Sequence, residues 1–294
     1  MIKLFTLIAL ACVCQSANAQ TEPAKEADTI RIGNIIITKN GSKTAEDKDD
    51  SRRNTNHIAI GRHHRSKPSN ISTNWGIVDL GFANYSDETN YAATGSYLYN
   101  RGGNIAPLGK SDFKLKTGKS VNVNIWFFMQ RLNLIQHHVN LKYGLGLELN
   151  NYRYRSSANI SYLEQNPYIS SQANSPVIIR DSIQFSKNKL AADYVTVPLM
   201  LNFSTSPGYT NKGLSLSVGV SAGYLYSQRN KQISQERGKQ KNRGDYDLER
   251  FKLSYVAELG LGPVRLYGSY SPKSFYSTGL DMKPYTLGVR LSNW

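Results

Sequence analysis

Seven charged side chains interrupt stretches of this sequence in which apolar and small polar residues otherwise alternate. They are Asp79, Lys142, Glu148, Lys252, Glu258, Arg265 and Arg290. Four are positive and three are negative, so the set is close to neutral. If they share one interior, an unpaired charge there would cost several kcal/mol, and we expect ion pairs and hydrogen bonds among them. A gated path for protons or ions is the alternative use of the same residues.

The rest of the sequence does not indicate catalysis. A membrane-embedded hydrolase or acyltransferase needs a nucleophile or base beside an orienting partner. His137 and His138 fall in a short turn, and the serines and aspartates are scattered through loops without a histidine beside them. Another three histidines, His57, His63 and His64, lie in a basic linker, where adjacent imidazoles without nearby carboxylates make a poor metal site. We predict no enzymatic activity, no metal site and no cofactor.

Eight segments with a period of two would position the charges, a pattern typical of β-strands with one apolar face. The sixth segment places these residues on its apolar face: Leu253, Tyr255, Ala257 and Leu259. Its polar face carries Lys252, Ser254, Glu258 and Gly260. The second segment is predicted to share an apolar face among Val121, Val123, Ile125, Phe127 and Met129. Pro198 removes a backbone donor from the fourth segment, so we expect a bulge or a local break in pairing there.

The connections between the segments favour a membrane barrel. They alternate long, short, long, short, long, short and medium, so all long loops fall at one end, as in outer-membrane barrels. Segments of roughly 10 to 13 residues also suit tilted membrane crossings. An aromatic girdle is expected from the tyrosines at the segment ends: Tyr85, Tyr224, Tyr226, Tyr270 and Tyr285.

The predicted fold class is therefore all-β, an eight-stranded antiparallel up-and-down transmembrane β-barrel with long extracellular loops and short periplasmic turns. A soluble secreted barrel or sandwich is the alternative. Eight strands leave an interior just wide enough for side chains, which argues against a large aqueous pore. Glu258 and Arg265 lie about equally far from the turn at Gly262 and should face each other across that hairpin, with Arg290 within reach.

Three regions are predicted along the chain. Residues 1–19 combine Lys3, an apolar stretch and a small-residue exit, which is typical of a signal peptide. Both cysteines would leave with it, so the mature protein could form no disulfide. Residues 20–73 are predicted to be a periplasmic linker with a short β-prone segment, either an extra edge strand or a plug. Residues 74–294 would form the barrel and end at Trp294, an assembly signal if a bulge near Ser292 restores its phase.

The formal net charge of +15 points to an anionic partner. Nucleic acid is not expected, because an exported chain without a basic helix, a stacking platform or a zinc motif gives it little support. Lipid phosphates suit the charge better. A basic loop could bind them, or could simply be solvated, and it contains Arg229, Lys231, Arg237, Lys239, Lys241 and Arg243. Another loop contains Tyr91, Tyr97 and Tyr99, which we expect to be exposed and able to anchor a protein partner.

Several stretches together carry a resemblance to a known family. They are RIGNIIITKN after Asp28-Thr29, WGIVDLG from Trp75, YGLGLELN from Tyr143, YVTVPL from Tyr194 and the terminal aromatic residue. In this combination the chain, from residue 28 to 294, resembles the porin-like, PorT-like outer-membrane β-barrel proteins of Bacteroidetes-type bacteria. The resemblance implies a barrel with its N-terminus in the periplasm and its loops outside, but no substrate.

These inferences predict an integral protein of the bacterial outer membrane with a structural, surface-binding or minor-pore role. The expected partners are outer-membrane lipid, including anionic lipopolysaccharide, and the barrel-assembly machinery. Secretion-system or surface proteins are further candidates, since the resemblance suggests an accessory component of a protein-secretion machine as the alternative function.

Overall fold

The computed structural model describes residues 29–32, 35–38, 69–102, 104–155, 159–206 and 213–292. The predicted signal peptide, the three linker histidines and Trp294 lie outside these residues. The chain divides into two compact units, Met1–Lys67 and Pro68–Trp294. No helix in the described ranges is both long enough and apolar enough to cross a membrane, a finding that does not bear on crossing by strands.

Fourteen strands are described. In chain order they are β1 (Thr29–Ile32), β2 (Ile35–Thr38), β3 (Ile71–Asp87), β4 (Leu98–Tyr99), β5 (Val121–Ile135), β6 (Val139–Arg153), β7 (Ile160–Leu163), β8 (Val177–Arg180), β9 (Lys187–Ser204), β10 (Leu214–Ser234), β11 (Gly238–Arg243), β12 (Phe251–Leu261), β13 (Val264–Tyr270) and β14 (Met282–Leu291). Short 3₁₀ helices span Gly95–Tyr97, Thr117–Lys119 and Ser170–Gln172. In the first unit β1 and β2 pair antiparallel in a sheet of their own.

Eight strands of the second unit close into an antiparallel barrel. The ring runs β3, β5, β6, β9, β10, β12, β13 and β14, and β14 pairs with β3 to complete it. Each strand pairs with its neighbours in the chain, which is the predicted up-and-down order. The prediction of eight barrel strands is confirmed, because each alternating segment forms one of them.

Side chains point alternately into the barrel and out of it. In β12, Leu253 and Tyr255 are exposed on the outside, while Lys252, Ser254 and Glu258 are buried inside. The apolar faces predicted for β9, β10, β13 and β14 also point outward. The outer surface is therefore an apolar belt and the interior is polar, the reverse of a soluble barrel.

Bulges reverse the alternation in β3 and β5. Gly76 has a φ of +67°, in the left-handed region that glycine adopts without strain. The pairing of β5 with β6 shifts by one residue between Trp126 and Phe128. Beyond this point Met129 faces inward and is fully buried. The prediction of an outward Met129 was wrong, because it carried an unbroken alternation through the extra residue.

The pairing of β6 with β9 is interrupted beside Pro198. Tyr143 pairs with Leu199 and Gly146 with Thr196, and the two residues between them on each strand are not paired across this boundary. On its other side Pro198 lies opposite Ser221 of β10. The predicted local break is confirmed, since proline has no N–H to donate to the neighbouring strand.

The two ends of the barrel differ in their connections. At one end, which we call the turn end, residues 136–138 join β5 to β6 and Gly262-Pro263 joins β12 to β13. At the opposite end the connections are longer, spanning residues 88–120, 154–186, 235–250 and 271–281. These four connections, which we call the cap, contain β4, β7, β8 and β11. Long and short connections are thus segregated as predicted.

The cap has its own apolar core. Strands β4, β8 and β7 form a three-stranded sheet within it. The buried cluster includes Tyr97, Leu98, Phe113, Tyr154, Ile160, Tyr162, Ile178, Tyr246, Leu248, Phe275 and Tyr276. Barrel residues that face inward at this end, such as Tyr152 and Tyr194, join the same cluster. The cap core is therefore continuous with the upper interior of the barrel.

Several tyrosines lie in this core and not where the sequence predicted them. Tyr85 was expected in the lipid-facing girdle, but it packs against the cluster and its hydroxyl donates to the carbonyl of Phe113. Tyr97 is buried and donates to the carbonyl of Tyr246. Tyr91 also packs on the cluster. The prediction for Tyr85 failed because Tyr85 lies an even number of residues after Asp79 on β3 and therefore shares its inward face. The prediction for the loop tyrosines failed because a polar loop sequence does not show that several loops share one core.

Tyr99, the third tyrosine of the predicted anchor loop, also contacts another part of the cap. Tyr99 is half-buried, and its ring stacks on Tyr168 at a centroid distance of 4.6 Å. By contrast, the other four girdle tyrosines lie on the outer face as predicted. They are Tyr224, Tyr226, Tyr270 and Tyr285.

Candidate functional site

The seven charged residues of the alternating segments all lie inside the barrel. None is more than 8% exposed. Five strands supply them, namely β3, β6, β12, β13 and β14. Asp79 and Arg290 are 211 positions apart in the sequence, yet they lie directly opposite each other on β3 and β14. The closure of the ring, more than any local motif, brings the charges together.

Glu258 is the centre of the network. Its carboxylate accepts hydrogen bonds from Lys142 Nζ at 2.6 and 2.7 Å. It also pairs with Nη1 of Arg290, and Nη1 of Arg265 lies 3.5 Å from Oε1. One buried carboxylate therefore holds three cations, each on a different strand: Lys142 on β6, Arg265 on β13 and Arg290 on β14.

The contact between Glu258 and Arg265 is diagonal. In the hairpin of β12 and β13, Glu258 lies opposite Tyr267 and Arg265 lies opposite Gly260. The prediction that the two charges face each other was therefore wrong by one inward position. Their long side chains still reach, as diagonal neighbours in a sheet can.

Asp79 is held by four hydrogen bonds. Arg290 donates from Nε to Oδ1 at 2.7 Å and from Nη2 to Oδ2 at 2.8 Å, a bidentate arrangement. Trp126 Nε1 donates to Oδ2 at 2.7 Å and Asn124 Nδ2 at 3.2 Å. The Arg290 guanidinium also lies 5.6 Å from the Trp126 ring centroid. Arg290 thus joins Asp79 to Glu258 and is itself fixed by an aromatic face.

A second ion pair lies nearer the cap. Lys252 Nζ pairs with Glu148, and Asn150 donates to the same carboxylate at 2.9 Å. The Lys252 ammonium lies 4.8 Å from the centroid of the Tyr194 ring, within cation–π range. This pair links β12 to β6 across the barrel interior, below the tyrosines of the cap core.

Uncharged residues that the sequence analysis did not select complete the network. Asn122 donates to Asn124 at 3.0 Å and to Asn150 at 2.9 Å, and it accepts from the hydroxyl of Tyr267. The sequence analysis did not select Trp126, because a large apolar residue is unusual on the polar face of a strand. Its position, two residues after Asn124 on the same face of β5, was the available signal.

Little space remains between these side chains. The cavity beside Glu258 and Arg290 has a volume of about 30 Å³, which is room for a water molecule or two. Thr196 lines it, and its hydroxyl has no hydrogen-bond partner among the described residues. The arrangement therefore holds five strands together and fills the lumen. No group of His, Cys, Asp and Glu side chains within the described ranges is arranged to bind a metal ion.

Tyrosine hydroxyls meet in the cap core. Tyr162 lies 2.5 Å from Tyr154 and 2.7 Å from Tyr276, measured between hydroxyl oxygens. Burial raises the pKa of Tyr154 to about 12, although hydrogen bonds with Tyr162 and Tyr276 oppose the rise. Burial also raises the pKa of Tyr246 to about 12. These hydroxyls are neutral at physiological pH and act as hydrogen-bonding parts of the core.

We expect the cap to lose stability in alkali. Tyrosine in an unfolded segment has a pKa of about 10. Because the folded pKa is higher, the folded cap binds more protons in the window between, so stability that is complete below about pH 10 falls as the pH rises toward about 12. Near-ultraviolet absorbance of tyrosinate and proteolysis of the cap should change together in that window. Buried tyrosines that ionise near pH 10 in a protease-resistant cap would contradict this.

The six basic residues predicted to form a loop lie largely on a β-hairpin, because β10 runs on to Ser234 and pairs with β11. Arg229 pairs with Asp193 at 2.7 Å, and Arg237 with Asp181 at 3.0 Å. The other four have no carboxylate partner in the part of the chain that the structure describes. They are Lys231, Lys239, Lys241 and Arg243.

The match to a family model agrees with this architecture. The family model described as "Outer membrane protein beta-barrel domain" matches residues 72–275, from β3 to the connection before β14. A search of the curated proteins gives no match. Among solved structures, the chain is similar to Ail, the attachment invasion locus protein of Yersinia pestis, in complex with the heparin analogue sucrose octasulfate. That similarity has 13% identity and a TM-score of 0.28, and it covers 74% of this chain and 99% of Ail. Since the family model matches more than half of the chain, the protein belongs to the outer membrane β-barrel domain family.

Proposed function

We propose that the protein is a closed barrel that acts at the cell surface as a structural or surface-binding component and not as a pore. The observation that carries this proposal is the filled lumen, in which the charges are paired and the cavity beside Glu258 and Arg290 is only about 30 Å³. Burying so many charges is costly unless they stay paired, so an open aqueous state would have to break the pairs that hold the strands. A surface role then rests on the cap.

We further propose that the cap faces the outside of the cell. The support is the segregation of long connections to one end, since outer-membrane barrels keep their short turns in the periplasm. Ile71, where β3 begins, pairs with Leu132 close to the turn end. The chain therefore enters the barrel from the side that we assign to the periplasm, which agrees with a periplasmic N-terminus.

We propose no enzymatic role. His137 and His138 lie in the turn between β5 and β6, where their rings contact Asn133 and the carbonyl of Ser204. Neither neighbour is a nucleophile that a histidine could activate. The barrel-assembly machinery as a partner and a part in protein secretion stay predictions.

Single-channel conductance in planar lipid tests the closed lumen. The refolded protein, checked by a heat-modifiable gel band, should pass no steady current. Combined with Tyr162→Ala, which opens the cap core, the Glu258→Ala variant should conduct, because it leaves three inward cations without their shared carboxylate and opens space beside the cavity. A steady current through the unaltered protein would overturn the proposal and favour a porin.

The matched control is Glu249→Ala. Glu249 also pairs with one cation, Lys273 at 2.9 Å, but this pair lies in the solvent-facing part of the cap. The control removes the same carboxylate group from the chain without touching the lumen. Combined with Tyr162→Ala in the same way, it should remain silent, and conductance in this control would show that the current does not report on the lumen network.

A further inference from the structure

A row of four cations crosses the outer face of the sheet at the cap end. Arg153 on β6 lies directly opposite Lys189 on β9, Lys189 lies opposite Lys231 on β10, and Lys231 lies opposite Lys241 on β11. Like charges directly opposite each other destabilise a sheet. Four in one row therefore require a compensating interaction.

Further cations flank this row on the same face. Arg229 lies opposite Arg243 in the next row toward the belt, and Lys239 lies in the next row away from it. Lys187 lies opposite Ile233 in that outer row. We call these eight residues the basic strip: Arg153, Lys187, Lys189, Arg229, Lys231, Lys239, Lys241 and Arg243. Among the residues that the structure describes, the carboxylate paired with the strip is that of Asp193, bound to Arg229.

The charges of the strip are poorly compensated. The ammonium groups of Lys187 and Lys231 and the guanidinium of Arg229 repel the ammonium group of Lys189. The Nε of Arg153 is buried without a hydrogen-bond partner within the described ranges. Lys189 Nζ has one hydrogen bond, to Asn151 Oδ1 at 2.6 Å. Several cations of the strip thus have no carboxylate partner in the part of the chain that the structure describes, and an anion would supply the missing charge.

The strip lies just beyond the lipid-facing belt. Tyr224 is exposed on the outer face of β10, and so is Tyr226, the extra residue of the bulge between Leu225 and Ser227. The row of Arg229 is two residues beyond the row of Asp193, and the four-cation row is two residues further. At about 3.3 Å per residue these rows lie roughly 7 and 13 Å along the strand from Asp193. Because barrel strands are tilted by about 35–45°, the rows rise less than this along the membrane normal, which places them in and just above the headgroup layer.

We propose that the basic strip binds the phosphate groups of lipopolysaccharide, the phosphorylated glycolipid of the outer leaflet. The proposal rests on the proposed function in one respect, that the cap faces outward. A membrane lipid is favoured over a soluble polyanion, because the strip faces away from the barrel axis, directly above the belt. Lys and Arg on adjacent strands can each take a separate phosphate oxygen.

The residues of the basic strip differ from the six basic residues that the sequence analysis selected. Arg237 is excluded, because its guanidinium is bound to Asp181. Arg153, Lys187 and Lys189 are added. Their part in the strip depends on pairing between strands that are far apart in the sequence, which the basic loop alone does not reveal.

Binding of lipid to the folded full chain in detergent tests the strip. The probes are lipopolysaccharide, the same lipid after phosphatase treatment, phosphatidylglycerol vesicles and soluble heparin. The variant carries Lys189→Gln, Lys231→Gln and Lys241→Gln together. We expect it to bind lipopolysaccharide about a hundredfold more weakly than the unaltered protein, from the contribution of each cation near a lipid surface. It should fold normally, because the substitutions remove repulsion.

The control variant removes three exposed lysines of the cap that lie outside the strip, Lys110→Gln, Lys114→Gln and Lys273→Gln. It should bind lipopolysaccharide like the unaltered protein. Equal binding of dephosphorylated lipid, equal binding of phosphatidylglycerol, or a preference for heparin would each overturn the proposal. A barrel that binds lipopolysaccharide through the strip but conducts ions would contradict the closed-lumen proposal and leave the lipid-binding proposal standing. A barrel that passes no current and does not bind lipopolysaccharide would contradict the lipid-binding proposal and leave the closed-lumen proposal standing.

Discussion

Replacing Arg290 with methionine should lower the free energy of unfolding of the barrel by about 3 to 5 kcal/mol. Arg290 holds Asp79 by two hydrogen bonds and also pairs with Glu258. Methionine fills similar space but leaves Asp79 as a buried carboxylate with only the neutral donors Trp126 and Asn124. Unfolding in urea, followed by tryptophan fluorescence and by the heat-modifiable gel band, measures the loss.

The double variant Asp79→Asn with Arg290→Met separates the pair from its surroundings. Removing both charges should recover part of the loss, because the penalty of the single change comes mainly from the charge left unpaired. Lys273→Met is the surface control, since Lys273 pairs with Glu249 while mostly exposed, and it should cost less than about 1 kcal/mol. A double variant as unstable as Arg290→Met, or a control with an equal cost, would show that packing and not charge pairing sets the effect.

The lumen was the part of this protein that the sequence predicted best. A charge at an inward position must be inward in every register that keeps the apolar face in lipid, so Asp79, Glu148 and Lys252 followed from the alternation alone. The pairing partners of these charges did not follow from the alternation. The diagonal contact of Glu258 with Arg265 depends on the register of one hairpin, and the register depends on its two-residue turn.

Other parts of the molecule were predicted less well. Met129 was misplaced because a single extra residue in β5 reverses every later side chain. The sequence predicts that Tyr91, Tyr97 and Tyr99 are exposed, because their loop is polar when it is read alone. Only contacts between loops, such as that of Tyr97 with Tyr246, bury them. The basic strip could not be predicted for the same reason, since each of its rows contains residues from several strands.

Two closures therefore lie in series along the barrel axis. The ion-pair network fills the interior between the strands, and the apolar core of the cap covers the end that we assign to the cell surface. The two closures are stabilised by different interactions. The network depends on charge pairing, while the cap depends on apolar burial and on tyrosine hydroxyls that need acceptors. A substitution that opens one should leave the other in place, so the two can be tested separately.

Replacing Tyr162 with alanine should open the cap and leave the barrel strands intact. Its ring is buried beside Tyr246 at a centroid distance of 5.5 Å, and its hydroxyl joins Tyr154 and Tyr276. Removing a buried aromatic side chain costs about 3 to 5 kcal/mol, which is enough to unfold a local core. Amide hydrogen exchange in β7 and β8 should speed up by two orders of magnitude or more, roughly as that cost implies.

The milder Tyr162→Phe variant separates packing from hydrogen bonding. It keeps the ring and leaves two hydroxyls short of a partner, so we expect a loss of about 1 to 2 kcal/mol and slower exchange than in the alanine variant. The alanine variant should also remain silent in planar lipid, because its ion-pair network is untouched. If opening the cap alone lets ions through, the lumen network is not the barrier, and the cap is the gate of a pore.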